Sequence, residues 1–492
     1  MKTTFIILVF ICFIPFNAQN KAKQIDELLK SYSNLQQFSG NILVSKHGKI
    51  IFKKEYGYAD REFSIPNTVD TKFRIASLTK QFTAMLIMQL KESGRLKLTD
   101  PISAFLPYYR KDIGQKVTIH QLLTNSSGIP DYANRTDFFS EIIFHNYPRE
   151  EFVKRFCSEN LQFEPGSKYA YSNSGYYILG IIIEMITKKP YATVLQENIF
   201  DAIGMKNSGL ETQEALIKYK AKGYNYSYGT YSNADYININ SSIFSAGGIY
   251  STIEDLLLWN EALYGGKLLS QENKKIMFTP YINKYACGII VNKILVPGMD
   301  HDVTFATHTG GINGFRSLIL HNMEDNETII LLSNTVINNS YEIDLNPIGN
   351  RIFSILHDLP YEQPKASAID KVGEIAYNGS IEKAISFFQQ IKSKEKDKYD
   401  FTNMETELNS LGYSLIHKTR IKDAIAIFRI NTEEYPSAWN VFDSYGEALM
   451  IDGQKEAAIK NYEISLKLNP ANANAEEQLK ILKSESKATT IQ

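Results

Sequence analysis

Apolar residues at Ile75, Leu78, Phe82, Met85 and Leu90 recur at close to helical spacing, and the pattern predicts a helix opening near Ser77. That helix begins a long, mainly helical stretch over residues 72–200. A shorter helix is expected over 21–32. Elsewhere the apolar positions bunch into runs of strand length. Two runs flank Lys46-His47-Gly48-Lys49 and read as a β-hairpin, with Gly48 suited to the turn. Others stand at 288–291, 317–320 and 328–333. Strands at both ends with helices between predict an α+β fold: an antiparallel sheet built from both termini of one domain, flanked by helices and carrying an all-helical insert.

Beyond residue 357 the pattern changes. Leu359-Pro360-Tyr361-Glu362-Gln363-Pro364 sets two prolines among polar residues and reads as part of a linker over 358–370. After it, residues recur in matched pairs: Gly412 with Gly446, Ala424 with Ala458, Phe428 with Tyr462, and Pro436 with Pro470. Each pair is separated by about 34 residues, the tetratricopeptide period. Asn378-Gly379 and Asp452-Gly453 match as turns, and Ala384, Ile385 and Phe388 resemble a less regular third copy. Two unrelated amphipathic helix pairs would be the plainer explanation. Four coincident spacings argue instead for an α-helical tetratricopeptide solenoid over 371–484. Such stacks offer a surface to a protein or peptide partner, or brace a neighbouring domain.

The N-terminus changes the compartment. Lys2 precedes an apolar run over 5–16, broken only by Pro15, and Asn17-Ala18-Gln19 offers a cleavage point after Ala18. Residues 1–18 therefore read as an export signal, with an uncleaved anchor as the alternative, and the mature chain is expected in a periplasm or outside the cell, without a transmembrane span. The 53 Lys+Arg against 54 Asp+Glu leave no basic stripe for nucleic acid. Cys157 and Cys287 outlast the signal and either pair or stay as thiols. The eight histidines show no metal-ligand spacing and no Gly-rich phosphate loop is present, so neither metal nor cofactor is expected.

Three short motifs carry candidate chemistry. In Ser77-Leu78-Thr79-Lys80 the two polar residues are neighbours on one helix face, which holds an amine beside a hydroxyl. A serine hydroxyl needs such a base to become a nucleophile, and a helix N-terminus favours developing negative charge. Ser380-Lys383, Ser393-Lys396 and Ser484-Lys487 share the spacing in a lysine-rich region where chance explains them. Tyr171-Ser172-Asn173 follows the Pro165-Gly166 turn and precedes a helix expected at 176–186, so a loop could hold a phenol for proton relay and an amide for positioning. His308-Thr309-Gly310 and Gly311 stand just before the run at 317, where glycines let backbone approach a ligand and an edge strand could donate an amide to an oxyanion. The pocket lining would come from 133–154 and 219–240. Tyrosines 219, 224, 226, 228, 231 and 236 read either as a cleft wall or as a solvated loop.

The order Ser-x-x-Lys, Tyr-x-Asn, His-x-Gly resembles the serine β-lactamase and penicillin-binding-protein superfamily, nearest to its branch of class C β-lactamases, DD-peptidases, D-aminopeptidases and esterases. Residues 117–128 and 245–256 support the resemblance, which covers 22–357. It implies Ser77 as acylated nucleophile, Lys80 as base or as the group that keeps Tyr171 deprotonated, and Tyr171 as proton shuttle. It further implies Asn173, His308, Thr309 and Gly310 as substrate-binding residues, and the backbone amides of Ser77 and Gly311 as the oxyanion hole. His308 replaces the lysine of true β-lactamases, so efficient antibiotic hydrolysis is not expected. The reading is an exported serine hydrolase acting through an acyl-enzyme on a small peptide, amide or ester, cell-wall D-amino-acid peptides included. The alternative is a penicillin-binding sensor that recruits partners through its repeats.

Overall fold

The computed structural model describes residues 16–337 and 345–489. Two compact units emerge, one from Met1–Asn225 with Ser232–Pro364, the other from Tyr226–Tyr231 with Lys365–Gln492. Most of the expected export signal, 1–15, lies outside the described residues.

The first unit is organised on a sheet of six strands: β1 (Gly40–Lys46), β2 (Lys49–Tyr56), β3 (Ile290–Leu295), β4 (Asp302–Ile312), β5 (Phe315–Asn322) and β6 (Glu327–Ser333). Their order is β3-β4-β5-β6-β1-β2, with every neighbour antiparallel. The β1–β2 turn falls at His47 and Gly48, both at positive φ. Pairing of β1 with β6, from Gly40 opposite Ser333 to Lys46 opposite Glu327, joins the two ends of the section into one sheet.

Helices α1 (Phe16–Asn34) and α4 (Asn346–Leu356) cover one face of this sheet, and α2 (Thr79–Glu92) and α3 (Asn173–Thr187) belong to the helical insert on the other. Ile42, Val44, Leu318, Leu320 and Leu331 pack with Ile25, Leu28 and Leu29 of α1 and Ile352 and Phe353 of α4. Their alternates Leu43, Ile319, Ile330 and Leu332 join the core of the helical insert, which holds α2 and α3. Successive strand residues point to opposite faces, so a sheet buried on both needs apolar side chains at consecutive positions. That is why these strands read as unbroken runs. Helix α2 is enclosed on all sides: Phe82 stacks on Trp259 with ring centroids 3.9 Å apart, and the polar Lys80, Gln81 and Thr83 are buried with it.

Several boundaries differ from the sequence expectation. Helix α1 starts at Phe16 rather than 21, and α3 at Asn173 rather than 176. The His308-Thr309-Gly310 motif, expected ahead of a strand, lies inside β4. Cys157 and Cys287 are both buried and free, which removes the pairing alternative. Among the described residues no helix is long and apolar enough to cross a membrane.

The second unit is built from consecutive helices at Ala368–Asn378, Ile381–Lys394, Met404–His417, Ile421–Glu434, Trp439–Ile451, Lys455–Leu468 and Ala473–Thr489. Its first helix opens inside the expected linker, because the Ser367 hydroxyl accepts from Asp370 N–H and caps it. The matched residues sit at equivalent contacts. A Cβ on Gly412 would lie 2.4 Å from the Phe428 ring, and one on Gly446 would lie 3.2 Å from the Tyr462 ring. Of the tyrosine-rich stretch, Tyr228 belongs to this unit and is buried against Gly373 and Tyr377, so it is neither cleft wall nor solvated loop.

Candidate active site

Ser77 sits in a tight turn, Ala76–Leu78, that runs directly into α2. Ala76 is held at φ 48°, in the left-handed region that a side chain disfavours. Two neighbours over-determine this conformation. The Ile75 N–H donates to the Ile249 carbonyl at 3.0 Å, and the Ile75 carbonyl accepts from Ser317 Oγ at 2.7 Å. The hydroxyl is thereby fixed at the helix entrance.

One turn on, Lys80 Nζ lies 3.2 Å from Ser77 Oγ, 2.8 Å from Asn173 Oδ1 and 2.7 Å from the Ala246 carbonyl. Burial drives the amine down to about 7 against an opposing pull from the Asp131 carboxylate. A neutral amine has two N–H donors and one lone pair. The Ala246 carbonyl can only accept, and so can the Asn173 oxygen, which together take both N–H groups. The lone pair is left for Ser77, whose hydroxyl alone among the three partners can donate.

What fixes Asn173 is Asp131, which the sequence reading did not single out. Asn173 Nδ2 donates to Asp131 Oδ2 at 2.9 Å, so the amide oxygen must face Lys80 and the second N–H of Nδ2 stays available to a ligand. Asp131 Oδ1 accepts from Ala133 N–H at 3.1 Å, so the carboxylate is itself held. Its only sequence signal was a Gly128-Ile129-Pro130-Asp131 turn, with nothing to connect it to residue 173.

Tyr171 donates its O–H to Ser77 Oγ at 2.7 Å. Burial pushes this phenol well above its ordinary range, partly offset by the bond to Ser77, so it stays protonated at neutral pH. A protonated phenol leaves the Lys80 amine facing a hydroxyl rather than a phenolate. The loop carrying Tyr171 rests on residues 125–131. Ala170 N–H donates to the Asn125 carbonyl, Ser172 N–H to Asn125 Oδ1, and Ser172 Oγ to the Ile129 carbonyl. The two supporting stretches thus have structural jobs: one cradles the Tyr171 loop and the other supplies the Ala246 carbonyl.

Strand β4 brings the third motif to Ser77 along a stretch where its outer side is open. β3 borders β4 as far as Thr307, opposite Ile290, and ends there. Among the described residues, the outer side of β4 has no strand neighbour from His308 onward. The two-residue turn Asn313-Gly314 closes on the Ile312–Phe315 pair, which directs the backbone of Ile312 to β5 and the N–H of Gly311 to the open side. Gly311 and Ser77 line the same cavity. Gly310 allows the approach: a Cβ there would lie 2.2 Å from the Ile75 carbonyl and 3.1 Å from Ser77 N.

His308 is held at both ring nitrogens. Nδ1 lies 2.6 Å from the Thr309 carbonyl, so Nδ1 carries the hydrogen, and Nε2 accepts from Tyr285 O–H at 3.1 Å. Burial, aided by the Lys80 charge, lowers the imidazole to about 4 and keeps it neutral. With both nitrogens engaged it offers no donor to substrate, and Thr309 contributes its carbonyl to this bond. These two bonds tie β4 to Tyr285 through His308.

Beside Ser77 lies a cavity of about 150 Å³ walled by Tyr132, Phe138, Phe139, Ile143, Ile243 and Ile312. The 133–154 stretch supplies part of this wall, as expected, whereas none of the six tyrosines of 219–240 lines it.

A family model described as Beta-lactamase matches residues 25–349. Penicillin-binding protein 4* of Bacillus subtilis (strain 168) is 30% identical over 386 residues, covering 74% of this chain and 83% of that protein. The crystal structure of a penicillin binding protein from Bacillus halodurans superposes with TM-score 0.57 and 25% identity over 67% of this chain and 98% of its own. D-amino acid amidase from Ochrobactrum anthropi SV3, complexed with D-phenylalanine, gives TM-score 0.59 and 25% identity over 70% and 99%.

Proposed function

We propose that this chain, which belongs to the β-lactamase family and is a serine hydrolase of the β-lactamase/DD-peptidase type, cleaves amide, peptide or ester bonds through an acyl-enzyme on Ser77. The observation that carries the reading is the meeting of Ser77 Oγ with Lys80 Nζ at 3.2 Å and with Tyr171 O–H at 2.7 Å. Neutral Lys80 takes the hydroxyl proton as Oγ attacks the substrate carbonyl carbon. The resulting oxyanion is met by the N–H groups of Ser77 and Gly311, and losing one such donor typically costs about 2.7–4 kcal/mol of transition-state stabilisation. Tyr171 passes its proton to the departing nitrogen or oxygen and is reprotonated from Lys80. Water then attacks the acyl carbon, gives up a proton along the same path, and releases the acid and Ser77. Asn173 offers its free N–H to the substrate, and Asp131 holds it for that purpose.

Similarity to a penicillin-binding protein and to a D-amino acid amidase supports a peptide or amide with D-configured residues within the substrate range. The apolar N-terminal run supports export to a periplasm or the exterior. Glycine–aromatic contacts recurring at 412/428 and 446/462 support reading the second unit as a tetratricopeptide array that docks a peptide or protein. The decisive test is labelling by a fluorescent β-lactam or fluorophosphonate, expected for the wild type and absent in Ser77→Ala. Equal labelling of both would overturn the assignment. Acylation that persists without product release would mark the sensor instead.

A further inference from the structure

We infer that the cavity beside Ser77 is an acyl subsite built for one uncharged aromatic ring, so that the substrates are aryl-acyl amides or esters; this rests on the acyl-enzyme reading and names its substrate class. The side of the reaction centre is given by who lines the cavity. Ser77, Asn173 and Gly311 do, whereas the proton donor Tyr171 does not. A leaving group departs toward the group that protonates it, so the cavity lies on the acyl side.

Its size and chemistry then select the occupant. About 150 Å³, open on one side and walled mainly by apolar side chains, matches the volume that in an engineered protein cavity binds benzene. The methyl side chain of a D-alanyl group would leave most of it unfilled. Among the described residues lining it none is charged, so a carboxylate carried on the acyl arm would lose its hydration without a partner. The walls are firm. Tyr132 is 2% exposed, Phe138 4% and Ile143 3%. Tyr132 is braced edge-on by Phe152 at 5.0 Å and by Tyr177 at 6.2 Å between ring centroids. Phe139, half exposed, forms the mouth. A pocket preformed to this degree pays little reorganisation on binding, and its shape is read directly as selectivity.

The test measures kcat/KM of the full chain on p-nitrophenyl phenylacetate, acetate and hemisuccinate. Ser77→Ala serves as the background for each ester. The phenylacetyl ester should exceed the acetyl ester by about tenfold or more, the range expected for burying a ring-sized apolar group. Ala133→Leu, which fills the cavity, should collapse the phenylacetyl-to-acetyl ratio toward one. Phe139→Ala, an exposed substitution that widens the mouth, should shift preference toward a naphthylacetyl ester. Should the filled variant fail to fold, the widened one still tests the wall. A phenylacetyl-to-acetyl ratio below about two, or preference for the succinyl ester, overturns the subsite. Hydrolysis that survives in Ser77→Ala overturns the nucleophile instead, so the two failures are distinguishable.

Discussion

Replacing Asp131 by asparagine separates the charge that reaches Lys80 from the shape that holds Asn173. The carboxylate accepts from Asn173 Nδ2 at 2.9 Å, and Asn173 Oδ1 accepts from Lys80 at 2.8 Å. Its negative charge favours the ammonium form and so raises Lys80, opposing burial. Removing that charge must lower Lys80 below about 7. An opposite charge close to a titrating group is worth about 1–3 units, and with Asn173 standing between the two the low end applies. If neutral Lys80 is the base, the wild type holds about one-tenth of it in active form at pH 6 and Asp131→Asn about one-half. The acid limb of kcat/KM therefore moves to lower pH by about one unit. The plateau falls at the same time, because an amide at 131 can turn its own N–H groups toward Asn173 and release its orientation. Losing one held partner of this kind costs about 1–3 kcal/mol, or about 5- to 150-fold in rate. The assay is a pH profile of ester hydrolysis for both proteins, with thermal melts to show that both are folded. A variant whose acid limb stays in place, or moves to higher pH, would refute the coupling of Asp131 to Lys80. A lowered plateau with no shift would reduce Asp131 to a purely structural role.

Gly310→Ala should lower kcat at least about 100-fold, because its Cβ would collide with the Ile75 carbonyl at 2.2 Å and push β4 away from Ser77 N; steady-state kinetics beside a thermal melt would separate this from simple unfolding. The His308 imidazole, neutral down to about 4, should show no titration between pH 5 and 8 by NMR, and Tyr285→Phe, which frees Nε2, should raise its titration point. Glu327 is buried, which raises its carboxyl, yet hydrogen bonds from His357 and Lys46 bring it down to about 2. Its folded value lies below the unfolded one, so its contribution is present above about pH 4.5 and is lost as pH falls toward 2; the wild type should lose about 3 kcal/mol over that window in denaturant melts and Glu327→Gln should lose less. In the second unit Gly412→Ala should destabilise more than Gly446→Ala, since the added carbon meets its ring at 2.4 Å against 3.2 Å, and hydrogen exchange over 404–434 and 439–468 would rank them.

The Ser-x-x-Lys motif shows how far a local pattern reaches. Ser380 and Lys383 repeat the spacing, yet there the Ser380 hydroxyl accepts from Lys383 N–H and caps the helix Ile381–Lys394, with both residues at its solvent-exposed start. Ser77 caps nothing, and its amine is sealed from water. The difference is burial, which depends on residues far away in the chain. The same holds for His308. Its place in the motif was legible, but its protonation and orientation depend on Tyr285 and on burial among β4, Tyr171 and Tyr285. Asp131 was invisible because it acts through residue 173, and no spacing rule links a turn aspartate to a helix start across so many residues.

Periodicity and short motifs alone determined the helix at Ser77, the β1–β2 hairpin, the central strands and the repeating helix pairs, since each depends on forces acting within a few residues. Assembly of the site required the tertiary structure. It joined β1 to β6, carried β4 past the end of β3, and enclosed Lys80 until its ammonium became costly. Desolvation is a property of everything that surrounds a group, and so the state of the Lys80 amine is set by the fold rather than by its neighbours in sequence.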